Sequence, residues 1–337
     1  MSSTIPFASS EEGPDLSIVV PVYRSQDCLT PLINAIVQAL SPEGLSYEVI
    51  LVNDCSPDQS WAVIEDLCRT HPNVIGVDLR RNFGQDNAIL AGLHYAKGHS
   101  IAIMDDDLQH HPRYLPVLLS RLAEGHDIVY ADFRVKHHKL WKNLGSWFNG
   151  KVAEWLLNIP RAFYLSPYKV MRHEIGTLIC AYTGPDPYVD ELIFRVTSRV
   201  AQVEVEHQPR VAGTSTYTLW KCIRVWARLA FSSSIMPLRI VTAAGIVTAI
   251  LGVLLGAFAV FGSAATESAL LGQQGWRAMQ VILSGFHLVF LGVLGEYVGR
   301  TYRAVRGTPQ AVIRETRNVE RGGFATPGTP AKGRPAS

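Results

Sequence analysis

The sequence predicts an α/β protein with an open, doubly wound, mostly parallel sheet, followed by a two-helix transmembrane hairpin. Three observations carry that expectation. Short apolar runs alternate with helically spaced segments through the first two thirds of the chain, the pattern of βα units. One run, Ile101 to Met104, opens directly onto Asp105, Asp106 and Asp107, and open α/β sheets place ligands at the C-terminal ends of their strands. Two later stretches, Ile240 to Phe261 and Ala278 to Val298, are apolar over the roughly 20 residues needed to cross a bilayer.

The bulk numbers set the bounds. At 337 residues the chain accommodates one large domain plus an appendage. With 31 basic against 29 acidic residues and a net charge of +2 there is no polycation, which argues against nucleic acid as a partner. Five cysteines, Cys28, Cys55, Cys68, Cys180 and Cys222, are scattered without a Cys-x-x-Cys pair, as expected for reduced thiols that bind no metal. Residues 1–14 are polar and read as a disordered start, with no apolar core of the signal-peptide kind.

The elements follow in order. Leu16 to Tyr23 is a buried strand, and Leu29 to Leu40 has helical spacing. Tyr47 to Val52 is the second strand, and the turn Asn53 to Asp58 offers Ser56 or Asp58 as the cap of a helix running through Thr70. Val74 to Leu79 is the third strand. The polar loop Arg80 to Asn87 opens a helix from about Ala88 to Ala96. After the acidic strand, Pro112 starts a helix to about Glu124, and Asp127 to Ala131 is a short strand. Pro167 to Met171 and Arg199 to Glu206 read as strands, and Tyr188 to Ser198 as a helix, which closes a domain over residues 15–216.

Charge is unevenly placed. Arg134, Lys136, Lys139, Lys142 and Lys151 lie among Phe133, Trp141, Trp147 and Phe148, a run that suits a phosphate-bearing substrate if it faces an acidic metal site, and a solvated basic face otherwise. Arg210 to Tyr217 combines a fixed cation with hydroxyl donors, a second phosphate cradle. Residues 217–236 pair tryptophans and leucines with Lys221, Arg224 and Arg228, as in a helix lying on a membrane surface.

Residues 237–300 then hold the two apolar stretches, joined by a short loop. Gly252, Gly256, Gly285, Gly292 and Gly295 are expected to permit close helix packing. Arginines cluster before the first span and after the second, so the positive-inside rule places the α/β domain and both termini in the cytoplasm of a multi-pass inner or plasma membrane protein. Residues 301–337 form a basic tail, disordered beyond about Asn318.

The acidic run carries the chemistry. Three adjacent carboxylates repel unless a cation joins them, and hard oxygen donors with the amide oxygen of Gln109 suit Mg²⁺ or Mn²⁺. In an extended segment Asp105 and Asp107 share one side and Asp106 points away. A solvated acidic turn has the same letters. His110 and His111 read as a solvent-facing pair ahead of Pro112, and Asp190 and Glu191 as surface or capping residues.

Taken in order, Pro21-Val22-Tyr23, Asn53-Asp54, Arg81-Asn82-Phe83-Gly84-Gln85, Asp105-x-Asp107-Leu108-Gln109, Arg210-x-x-Gly213-x-Ser215 and Glu296-Tyr297-Val298-Gly299-Arg300 resemble the family-two glycosyltransferases of GT-A fold, a Rossmann-like architecture. Within them they resemble the polyprenyl-phosphate glycosyltransferases, and the match covers roughly residues 15–315. The resemblance implies an inverting transfer of sugar from a UDP- or GDP-sugar to a polyprenyl phosphate at the cytoplasmic membrane face, for cell-envelope glycan or glycolipid modification. It implies that Pro21, Tyr23, Asp54, Asn82, Gly84, Gln85, Asp105, Asp106 and Ser215 bind the donor. It further implies that Asp105, Asp107 and Gln109 hold the metal and diphosphate, and that Asp107, Arg134, Lys142 and Arg210 carry the transfer. Membrane lipid and a homo-oligomer, a tetramer among the options, are the implied partners.

The chain departs from the family pattern at Arg24-Ser25, Asp54-Cys55-Ser56, Pro167-Tyr168-Lys169 and Ser215-Thr216, and Lys169 or Lys221 is expected to replace the phosphate contact missing at Thr216. Two other readings compete. One is a non-catalytic, nucleotide-sugar-binding membrane scaffold; the other is a GT-A transferase with a hydroxyl acceptor, for which Asp190 or Glu191 would be the base. A polysaccharide synthase is disfavoured, because no Gln-x-x-Arg-Trp motif is present.

Overall fold

The computed structural model describes residues 13–133, 163–184, 187–205, 236–262, 273–307 and 309–319. They fall into two units, one of residues 1–215 with 307–337 and one of residues 216–306.

The first unit is built on β1 (Leu16–Val22), β2 (Tyr47–Asn53), β3 (Val74–Leu79), β4 (Ser100–Ile103), β5 (Ile128–Asp132), β6 (Lys169–Arg172), β7 (Val200–Glu204) and β8 (Ile313–Arg317). They form one sheet in the order β7-β5-β6-β4-β1-β2-β3-β8. β1 pairs in parallel with β2 and β4, β2 with β3, and β5 with β7, while β6 and β8 run antiparallel. The mostly parallel α/β fold expected from the sequence is the fold found.

Helices α1 (Leu29–Leu40), α2 (Ser60–Thr70), α3 (Gln85–Leu93), α4 (Leu115–Ala123), α5 (His173–Cys180) and α6 (Val189–Val196) cover the sheet. Because side chains alternate along a strand, Leu16, Ile18, Val20 and Val22 of β1 enter one core with α1, α2 and α4, and Val19 enters the other with α3, α5 and α6. α3 lies so close to the sheet that a Cβ on Gly92 would come within 2.6 Å of Val19.

Several local expectations change. α3 begins at Gln85, three residues before the expected Ala88, with Gly84 ahead of it at φ 91°. Of the two caps offered for α2, Asp58 accepts from the Ser60 N–H (3.2 Å) and hydroxyl (2.7 Å), whereas Ser56 accepts from the Arg24 N–H. The domain does not end near residue 216: the chain returns at Gly307, and Ile313–Arg317 of the supposed tail completes the sheet beside β3.

The second unit contains α7 (Met236–Gly262) and α8 (Gln273–Val305). A Cβ on Gly245 would meet the Phe290 ring at 2.6 Å, so the close glycine approach occurs at Gly245. Gly252, Gly285, Gly292 and Gly295, expected to serve that role, face open space. Among the described residues no helix is long and apolar enough to cross a membrane.

Candidate active site

The strand order places the site. The chain winds outward from β1 through β2 to β3, then returns to the other side of β1 as β4. Helices leaving in opposite directions open a crevice at the C-terminal ends of β1 and β4, where open α/β sheets bind ligands. A cavity of about 340 Å³ lies there, lined by Pro21, Val22, Tyr23, Asp54, Asn82, Gly84, Gln85, Asp105, Asp106 and Asp107. Four separate strand ends contribute to it, which is why residues 84 positions apart in sequence share one wall.

Asp54, at the end of β2, is buried at 3% exposure. Its two carboxylate oxygens accept from the Phe83 N–H (2.7 Å) and the Gly84 N–H (2.9 Å). Burial raises its pKa while these two donors pull it back. Asp54 therefore fixes the loop that brings Asn82 and Gly84 to the cavity. Gly84, at φ 91° and ψ 157°, sits in a region essentially reserved for glycine. Gly84→Ala meets no atom within 4 Å, so its effect is backbone strain of about 1–3 kcal/mol. The expected result is a melting temperature lower by a few degrees; an unchanged melt would show that the loop relaxes without cost.

The acidic segment is not extended. The chain leaves β4 at Ile103 and bends from Asp106 onward, with Leu108 at φ 57°. Asp106 consequently does not point away: it lines the cavity with its neighbours and accepts from the Tyr23 N–H (3.3 Å). Gln85 donates to Asp105 (2.8 Å), and the Gln109 backbone N–H donates to Asp107 (3.1 Å). The Gln109 side chain, expected as a metal ligand, is not part of the cavity wall.

Crowding of these carboxylates is the dominant electrostatic feature. Burial first, then repulsion from Asp107 and Asp106, pushes Asp105 up to about 7. Among the described residues no group of three or more His, Cys, Asp or Glu side chains is arranged to hold a metal ion. Two carboxylates are nonetheless the protein donor set that Mg²⁺ or Mn²⁺ takes when substrate phosphates supply further oxygens, and a divalent cation would relieve the repulsion. Asp105 and Asp107 fit that role.

His110 corrects another expectation. It is buried at 9% exposure, its ring 4.7 Å from that of Phe133, with Nδ1 3.6 Å from Asp105. His111 alone has a local task, accepting from the Arg113 N–H ahead of the short helix at Pro112. Asp190 is not a surface residue either. It accepts from the Lys169 ammonium and from the Tyr130 hydroxyl (2.9 Å), all three groups being buried. Lys169, expected as a phosphate contact, is paired with the buried Asp190. A lysine inside the apolar run Tyr168 to Met171 was the sequence signal that a buried partner had to exist. Arg134, Lys142, Arg210 and Ser215, with the basic run 134–151 and residues 217–231, lie outside the described residues.

Comparison with known proteins places this geometry. The profile described as "Glycosyl transferase family 2" matches residues 17–180. An undecaprenyl-phosphate 4-deoxy-4-formamido-L-arabinose transferase of Edwardsiella ictaluri is 33% identical, covering 88% of this chain and 93% of its own length. An uncharacterised glycosyltransferase of Synechocystis sp. is 28% identical, covering 91% and 96%. A crystal structure of glucosyl-3-phosphoglycerate synthase from Mycobacterium tuberculosis with Mn²⁺, UDP and phosphoglyceric acid gives a TM-score of 0.48 at 18% identity, covering 65% of this chain and 77% of that one, a likeness that bears on neither substrate nor metal. With 33% identity over 88% of its length, and with the family's region containing every residue that lines the cavity, the chain belongs to glycosyl transferase family 2, alongside relatives named as undecaprenyl-phosphate 4-deoxy-4-formamido-L-arabinose transferases.

Proposed function

We propose that this glycosyltransferase moves a sugar from a nucleotide-sugar donor to a polyprenyl phosphate at the cytoplasmic face of a membrane. The observation that carries the reading is the convergence of Tyr23, Asp54, Gly84 and the three carboxylates of 105–107 on one cavity at the switch point of the sheet. The nucleoside would lie between the Tyr23 ring and the loop that Asp54 holds. The diphosphate would then lie toward Asp105 and Asp107.

The acceptor reading is supported by the named relatives and by what the site does with its acids. A phosphate monoester is already ionised near neutral pH, its second pKa being about 6, and needs no general base. Asp190, the candidate base for a hydroxyl acceptor, is bound to Lys169 and Tyr130 instead. An acceptor phosphate oxygen attacks the anomeric carbon as the bond to the diphosphate oxygen breaks, and one in-line displacement inverts the centre. Gln85 orients Asp105, and the Gln109 N–H orients Asp107. Mg²⁺ or Mn²⁺ held by Asp105 and Asp107 would supply charge stabilisation to the departing diphosphate. Arg134, Lys142, Arg210 and Ser215 are assigned here to the phosphates on their charge and hydroxyl donors.

Membrane attachment through α7 and α8 is supported by the uncharged run Ile240 to Phe261, by the apolar run Ala278 to Val298, whose single carboxylate, Glu296, lies near its end, and by their exposed apolar side chains. Ile246, Val247, Ile250, Leu251, Leu254, Leu288, Val289 and Leu291 are each more than half exposed, which lipid would cover. The arginines flanking the runs favour cytoplasmic placement of both ends.

The test is transfer of label from a panel of UDP- and GDP-sugars to a short polyprenyl phosphate in detergent, with Mg²⁺, with Mn²⁺ and with chelator. Labelled lipid that disappears on chelation is expected. If nucleotide sugars bind and no donor in a broad panel yields lipid product, the protein is a nucleotide-sugar-binding scaffold.

A further inference from the structure

The strand that follows the helical pair in sequence lines no part of the cavity, yet Val312 and Arg314 reach the two loops that build it. β8 lies antiparallel on β3, with Asp78 opposite Glu315 and Gly76 opposite Arg317. The Arg80 N–H donates to the Val312 carbonyl (2.8 Å), and the Arg314 guanidinium donates to the Arg80 carbonyl (3.4 Å). Both peptide groups of Arg80 are therefore held by this segment at the point where the Arg80–Gly84 loop begins.

The same guanidinium lies 3.1 Å from the Asp78 carboxylate, which is fully buried. The other Asp78 oxygen accepts from the Asn53 side-chain amide (2.7 Å), and the Asn53 side-chain oxygen accepts from the Ser56 N–H (3.2 Å). One cation thus ties the 53–56 turn, which carries Asp54, to the start of the loop that Asp54 grips at Phe83 and Gly84. A fork with several donors suits this double task better than a point charge.

We propose that β8 is part of the donor site, with Arg314 as a positioning residue that sets the Asn53–Ser56 turn and the Arg80–Gly84 loop at the spacing the nucleotide needs. The proposal rests on the nucleotide reading of the cavity. It makes donor binding depend on residues 309–318, although none of them lines the cavity.

The test uses the full-length protein with Arg314→Ala, Arg314→Lys and, as a control on the same strand, Arg317→Ala. Arg317 pairs with Glu65 and Glu315 beside Trp61, away from the loop. Hydrogen–deuterium exchange of the 80–84 amides is read without ligand, beside thermal melting and titration with UDP and GDP. In Arg314→Ala the loop amides are expected to exchange at least tenfold faster while those of β1 are unchanged, and nucleotide affinity to fall about tenfold. Arg314→Lys keeps the charge opposite Asp78 but not the fork, so it should melt near wild type and still exchange several-fold faster; this variant decides the matter if the alanine variant does not fold. Arg317→Ala should lower the melting temperature and leave loop exchange within twofold.

Loop exchange equal to wild type in both Arg314 variants, or equally fast in Arg317→Ala, overturns the proposal. Wild-type protein that binds neither UDP nor GDP overturns the nucleotide reading instead, and the exchange data still decide whether β8 braces the loop.

Discussion

Asp107→Ala is expected to reduce sugar transfer roughly 10²–10³-fold or more, the size of effect seen when one preorganised electrostatic contact to a developing charge is removed. Asp107 lines the cavity and is fixed by the Gln109 N–H, so its carboxylate is aimed before any ligand arrives. Its loss should not harm the fold, because the change relieves like-charge repulsion on Asp105. Melting temperature should therefore stay level or rise while turnover collapses. Gln109→Ala provides the contrast. The backbone N–H to Asp107 survives that substitution, and the side chain is absent from the cavity wall, so transfer should remain within tenfold of wild type. Transfer by Asp107→Ala above a tenth of wild type, measured at saturating divalent cation, would remove this carboxylate from the site.

Asp190→Ala should have the largest effect on stability. Lys169 is 3% exposed, and its ammonium is compensated by Asp190, which also accepts from the Tyr130 hydroxyl. Removing one partner of a buried pair leaves an uncompensated charge and costs about 3–5 kcal/mol. For a domain of this size that corresponds to a drop of roughly 6–20 °C in melting temperature. Removing both charges is a different experiment. Lys169→Met with Asp190→Leu replaces the pair by apolar groups of similar outline, and exchanges of a buried pair for apolar groups are often neutral or stabilising. The double variant should recover most of the loss, and a double variant as unstable as Asp190→Ala would show that packing around Tyr130 outweighs the charge.

The pattern of strands and helices was legible in the sequence because burial has a local period. Leu16 to Val22, Tyr47 to Val52 and Val74 to Leu79 are apolar runs of strand length, and each is a buried strand. The cavity's location was legible for a related reason: parallel strands put all their C-terminal ends on one side, so Pro21, Asp54, Gly84 and Asp105 meet once the sheet is parallel. Nothing in a local window shows, however, which groups face each other across the fold. Asp106 turns inward because the chain bends at 106–108, and His110 is buried because Phe133 arrives from the end of β5. Lys169 finds Asp190 only because β6 is inserted antiparallel between β4 and β5, against α6.

Arg314 is the extreme case. Its partner Asp78 lies 236 positions earlier in the chain, so only the pairing of β8 with β3 brings the two together. The sequence by itself determined the α/β order, the end of the sheet where the cavity opens and the acids that line it. The tertiary structure alone decided which charges are paired and which loops are braced, because those contacts depend on strand order, and strand order is set by packing between distant segments.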